Sequence, residues 1–252
     1  MCLPRCCFVV WTLIGLVLAA IAVGLPLWSV SSQPTFEKAG TAMHAEFTAG
    51  VWGLCTQVHV ATNATALSTA SCHSYFRPSH VTVLRPDGSS AHVRVEPVCA
   101  TAAHSDTRRD LERLTGDPSA PAYLSKSCGH LGRASVFFAF LAPVAAAVAL
   151  VALTFLCCCR ASHGRIDVTA VVFTAVALAS SIIAFVLWTQ QRPRAAYLGV
   201  SFYLEIAATV CFFCALAFSR CKKPPDADAD ERMPDTTRQT YEPATTPPPV
   251  KR

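Results

Sequence analysis

Thirteen cysteines carry most of the chemistry available to this 252-residue chain, and they fall into two populations. Cys55, Cys72, Cys99 and Cys128 share one long polar stretch, an even number of thiols that an oxidising compartment can join as disulfides. The others are Cys211 and Cys214 within the last apolar segment, and Cys2, Cys6, Cys7, Cys157, Cys158, Cys159 and Cys221, which flank such segments. There a thiol can take a reversible palmitoyl group, or serve as a small apolar residue. The Cys157 to Cys159 run has no spaced CxxC or His partner, so a metal is not expected. Gly50-Val51-Trp52-Gly53-Leu54-Cys55 sets a Trp and a Cys three residues apart in a Gly-flanked, β-prone context outside the apolar segments. Asn63-Ala64-Thr65 is an N-glycosylation sequon, and Asn63 is the only asparagine.

Other constellations are missing. There is no HExxH, no GxSxG, no phosphate-cradling glycine loop and no pair of acids within an apolar segment. We therefore expect no enzymatic activity, no cofactor and no metal. Glu205 is the only acid well inside an apolar segment, with Asp167 at the edge of another. A carboxyl in hydrocarbon is costly and marks either a functional group or polar packing between helices; packing is the expectation here. Seven of the eight histidines (His44, His59, His73, His80, His92, His104 and His130) lie in the polar stretch, at spacings that match no metal site.

The elements that must hold these groups follow from composition. Hydrophobic residues make up 52% of the chain and charged ones 15%, against about 25% charged in a typical globular domain. Four apolar stretches, Phe8 to Leu27, Val136 to Leu156, Val168 to Trp188 and Tyr197 to Phe218, can each cross about 30 Å of hydrocarbon at about 1.5 Å per residue. With their edges they give spans at 8–28, 133–159, 168–189 and 196–219. Cleavage of the first after Ala20-Ile21-Ala22 as a signal peptide is the alternative, although apolar sequence continues to Leu27. Arg160, His163 and Arg165 in the 160–167 loop, and Arg220, Lys222 and Lys223 after the fourth span, place both termini in the cytoplasm. Arg192 and Arg194 in the short 190–195 loop argue the other way.

Residues 29–132 then form an extracellular or luminal loop, too long to lack structure of its own. His80 to Leu84 and His92 to Val95 flank a turn at Pro86-Asp87-Gly88-Ser89 and predict a β-hairpin. Asp106 to Leu114 predicts a short helix. Eight basic and eight acidic residues balance between Trp28 and Gly132, so the loop has no bias toward a charged partner. Residues 1–7 form a short cytoplasmic N-terminus. Residues 220–252 are polar and Pro-rich, a disordered tail in which Thr245-Thr246-Pro247-Pro248-Pro249 could adopt polyproline structure.

The fold class is therefore a membrane α-helical protein: a four-transmembrane-helix bundle with a disulfide-stabilised, β-rich extracellular domain from the first loop. Trp28 closing the first span, then Gly50-Val51-Trp52 with Cys55 and Cys72, resembles the W…GLWxxC…C signature of the claudin superfamily. That group includes peripheral myelin and epithelial membrane proteins and the calcium-channel γ subunits. Val51 stands where Leu is usual. Arg133-Ala134 opening the second helix and Leu198-Gly199-Val200-Ser201-Phe202-Tyr203-Leu204 opening the fourth agree with it. The resemblance covers the helices and the start of the loop but not the insert at 73–127. It implies a disulfide between Cys55 and Cys72 on adjacent strands, with Trp28 and Trp52 anchoring the outer sheet to the bundle. The insert brings Cys99 and Cys128, expected to form a second disulfide.

Sixteen residues separate the two signature cysteines, more than is usual in the family. The second outer loop is short, and the chain ends Val250-Lys251-Arg252 rather than in the PDZ-binding motif of junctional claudins. Trp52-Gly53 also resembles the Trp-Gly cluster of amastins, four-helix surface proteins of protozoa, whose additional upstream cysteine is absent. The resemblance implies a non-enzymatic protein at the plasma membrane that acts through contacts with other membrane proteins, laterally or in trans, and through homo-oligomers, without nucleic acid. An auxiliary subunit of a channel or transporter, or an amastin-like surface protein, is the alternative.

Overall fold

A computed structural model describes residues 3–32, 36–38, 41–61, 66–84, 90–101, 120–158, 164–192 and 196–220. The sequon at Asn63, the hairpin turn at 85–89, the helix expected at Asp106 to Leu114, and Cys2, Cys159 and the tail from Cys221 lie outside the described residues.

Four long helices dominate: α1 (Leu3–Gly24), α4 (His130–Cys158), α5 (Gly164–Gln191) and α6 (Val200–Arg220). All four are long and apolar enough to cross a membrane, and the protein is an integral membrane protein. Each buries a seam of mostly small residues at heptad spacing. The seams run Phe8, Thr12, Gly15, Ala19 and Ala22 in α1, and Ser135, Ala139, Ala142, Ala146, Ala149 and Leu153 in α4. They continue with Ala170, Thr174, Ala177, Ser181, Ala184, Trp188 and Gln191 in α5, and Ser201, Glu205, Ala208, Phe212 and Ala215 in α6. Small residues let helix backbones approach closely where lipid removes any hydrophobic drive. A 3.5-residue repeat is the spacing of left-handed supercoils. The seam hydroxyls of Thr12 and Thr174 donate to the carbonyls of Phe8 and Ala170, each at 2.8 Å, so they carry no unpaired polar group. Helix α1 packs between α4 and α6, and α5 closes the bundle on the other side.

The loop after α1 supplies five strands of a six-stranded antiparallel sheet. Strands β3 (Thr41–Ala49), β4 (Gly53–Ala61) and β5 (Ala66–Ser74) form a meander. Strands β1 (Ser29–Ser32) and β2 (Phe36–Lys38) both pair with the free side of β3. A separate hairpin joins β6 (Ser79–Leu84) to β7 (Ser90–Val95), covering the segments whose alternation predicts it. Two short helices follow, α2 (Val98–Thr101) and α3 (Ala120–Cys128).

Helices α1, α4 and α5 begin three to five residues before the hydropathy boundaries, α5 taking in the end of the expected 160–167 loop, and two other helix ends fall short of them. Helix α1 stops at Gly24, before the boundary at 28, because Gly24 and Pro26 end the helix and Leu25 to Trp28 turn into the sheet. Helix α6 starts at Val200 rather than 196, and Tyr197–Leu198 form β8, which pairs with β1 at the sheet edge. In both places buried residues, Trp28 and Ala196, alternate with the exposed Leu25 and Tyr197, and hydropathy reads all of them the same way as a span.

Candidate functional site

The distinctive site is the junction where the sheet meets the four spans. It begins at the turn Gly50-Val51-Trp52-Gly53 between β3 and β4, closed by the Gly50 amide donating to the Gly53 carbonyl at 2.8 Å. A Cβ on Gly50 would lie 2.7 Å from Cα of Pro26, so the chain leaving α1 crosses this turn at a distance only glycine allows. Val51 is buried, and Trp52 is half-buried against the same core. The Trp52 carbonyl accepts from the Tyr75 amide at 3.1 Å and from Ser74 Oγ at 3.3 Å.

Trp28 lies just beyond α1 and is fully buried. Its indole N–H donates to the Ala22 carbonyl at 2.7 Å, one of the last carbonyls of α1 left without a helical donor. Its amide donates to Ala49 at 3.0 Å, and its carbonyl accepts from Gly199 at 2.9 Å. A Cβ on Gly199 would stand 2.1 Å from the Leu27 carbonyl oxygen, so the start of α6 also requires glycine. Ser201 completes the crossing, its amide donating to Leu27 at 3.0 Å and its hydroxyl to Leu25 at 3.3 Å.

Around Trp28 the rings meet edge to face. Trp188 of α5 lies 5.5 Å away and Phe202 of α6 lies 6.3 Å away, while Tyr123 of α3 stands 6.3 Å from Trp188. Such pairs contribute about 0.5–1.5 kcal/mol beyond burial. The Trp188 indole donates to Ser29 Oγ of β1 at 3.1 Å, and Gln191 donates to the Leu131 carbonyl of α4 at 3.2 Å. The hydroxyls of Tyr75 and Tyr123, both buried, hydrogen-bond to each other. Burial pushes the Tyr123 phenol up to about 12 and raises Tyr75 as well. All four spans and the sheet therefore share one core that also takes in Phe47, Ala49 and Leu54 from β3 and β4.

Disulfides brace the sheet and the insert. Cys55 and Cys72 lie directly opposite on β4 and β5 and are bonded, with Cα atoms 4.0 Å apart. Cys99 of α2 is bonded to Cys128 at the end of α3, which ties the insert to the head of α4. Arg133 is exposed in the first turn of α4, its guanidinium 6.0 Å from the Phe76 ring centroid. Of the other juxtamembrane thiols, Cys6 is exposed and Cys7 half-buried near the start of α1, and Cys157 and Cys158 end α4.

Glu205 stands apart from the junction, fully buried between α5 and α6. Ser181 Oγ approaches its Oε1 at 2.5 Å and Thr209 Oγ1 at 2.7 Å, and Thr209 donates to the Glu205 carbonyl at 2.9 Å. Oε2 has no protein partner among the described residues. Among the described residues no cluster of His, Cys, Asp or Glu could hold a metal ion.

Trp28, Gly50 and Trp52, which the sequence marks, meet here with Trp188, Tyr75, Tyr123, Phe202 and Gln191, which it does not, and Arg133 stands exposed beside them. Trp188 read as the polar-edged end of a span, and Tyr75 and Tyr123 are isolated tyrosines in an insert without a repeat. Each is an aromatic residue with a polar tip beside a span or signature cysteine, which is the signal available. No protein-family model matches the chain, and no curated protein matches it in sequence.

Proposed function

We propose that this protein is a claudin-like tetraspanning protein of the plasma membrane that organises membranes by protein–protein contact. Its sheet domain faces outward and both termini lie in the cytoplasm. The observation that carries the reading is the buried junction: it fixes the sheet to every span, so the outer surface is presented as a rigid platform rather than on a tether. That design suits contact and has no reacting group at its centre. Asn63 carries a glycan in this reading, and Cys2, Cys6, Cys7, Cys157, Cys158, Cys159 and Cys221 take acyl chains at the inner leaflet.

A specific observation favours a second reading, an auxiliary subunit beside a channel or transporter. The second connection enters the sheet as β8 directly after Arg192 to Ala196, which leaves little chain to reach a facing membrane and favours lateral contact. Two measurements separate these readings. Purification in mild detergent gives homo-oligomers if the protein organises membranes by itself, and a stoichiometric channel or transporter if it is auxiliary. A glycosidase-sensitive mass shift abolished by Asn63→Gln establishes the outward loop; its absence from wild-type protein made in a glycosylating cell overturns that orientation.

A further inference from the structure

We propose that the bundle-external face of α4 is a binding site for one anionic glycerophospholipid, with its phosphate on Arg133 and an acyl chain running toward Val144. The site is a groove of about 480 Å³, roofed by Phe76 from the sheet domain and floored by Phe137, Phe140 and Val144. With Arg133 these positions recur every three or four residues and so share one helix face. That face lies opposite the alanine seam: Phe137 is 60% exposed and Val144 58%, whereas Ala139, Ala142 and Ala146 are closed to solvent. No other span covers it, since Phe137, Phe140 and Val144 are all exposed.

Two features select the occupant. The first is charge. Arg133 sits in the positive first turn of α4, where no acidic residue balances it and where a cation opposes helix stability. Its one described partner is the face of Phe76, which leaves the guanidinium fork free for phosphate. The second is length. From Arg133 to Val144 the helix rises about 16 Å at about 1.5 Å per residue. That is close to half of the roughly 30 Å hydrocarbon core, the depth one acyl chain occupies. A headgroup-level cation above a chain-length apolar groove matches a single lipid of the leaflet at the sheet end, on whichever side of the membrane that leaflet lies.

The test is native mass spectrometry of the full-length protein, with phosphatidylglycerol or phosphatidylcholine of matched chains added to the detergent. One phosphatidylglycerol should be retained in preference to phosphatidylcholine. Arg133→Ala should weaken that retention about fivefold, the scale of one cation near an anionic surface. Arg133→Lys should lose less, and Arg220→Ala, at the opposite end of α6, should change nothing. Val144→Trp, which fills the groove, should weaken both lipids while leaving thermal unfolding unchanged. Equal retention of the two lipids, or an Arg133→Ala protein that binds like wild type, overturns the proposal. So does a photoreactive residue at Phe140 that cross-links to a polypeptide rather than to lipid.

Discussion

At the scale of single residues, the tyrosine pair is the sharpest consequence of the junction. Tyr75 and Tyr123 are buried and bond to each other with Ser127 beside both, so removing one hydroxyl takes away the other's main partner. Such a loss costs about 1–3 kcal/mol, whereas removing both is close to neutral. Tyr75→Phe and Tyr123→Phe should therefore each lower stability, and the double variant should recover most of the loss. A double-mutant cycle of unfolding in detergent measures it. The same burial sets a pH dependence. Folded pKa values above the ordinary phenol value near 10 mean that the unfolded chain loses its phenolic protons first. Stability from this pair should be constant below pH 10 and fall as pH rises from about 10 to about 12. Tyrosinate absorbance should show these two phenols titrating above the ordinary phenol value. Gly199→Ala tests the crossing beside them. With a Cβ at 2.1 Å from a backbone oxygen that cannot swing aside, the variant should lose folded protein rather than merely soften.

At the scale of elements, the cross-braces can be ranked. The Cys99–Cys128 bond closes a 29-residue separation, for which chain entropy gives about 3–4 kcal/mol, and it is the covalent link between α2 and the head of α4. Cys99→Ser with Cys128→Ser should lower the unfolding temperature, while the sheet keeps its own bond at Cys55–Cys72. Within the bundle, Glu205→Ala removes the acceptor of Ser181 between α5 and α6 and should cost about 1–3 kcal/mol. Glu205→Gln keeps that acceptor and should cost less, which thermal unfolding in detergent can resolve. These elements also separate what is local in the sequence from what is not. Four apolar runs and the alternation of His80 to Leu84 and His92 to Val95 are legible because each needs only its own neighbours. Strand β8 and the early end of α1 are not, because Leu25 to Trp28 and Tyr197–Leu198 are as apolar as the spans they adjoin. The tyrosine pair joins residues 48 apart, a contact that no local pattern encodes.

At the scale of the molecule, the loop domain is built from two parts with different dependence on the bundle. The meander, β1 and β8 share the core of Trp28, Trp188 and Phe202, and cannot be altered without disturbing all four spans. The hairpin β6–β7 forms its own two-stranded sheet. The chain leaves for it after Tyr75 and returns at Cys99, whose amide donates to the Tyr75 carbonyl at 3.1 Å. Everything between these residues is thus a loop with closed ends, and closing it costs little more or less when its length changes, about 0.6 kcal/mol per doubling. Replacing residues 78–96 with a short Gly-Ser linker, while keeping Phe76, Cys99 and the junction, should give a monodisperse protein. Its unfolding temperature should stay within a few degrees of wild type, and both disulfides should be intact by mass mapping. Aggregation or a free Cys99 in that variant would mean that the hairpin is needed to build the platform. Folding without it would make the hairpin the part of the loop domain that can vary without cost to the bundle.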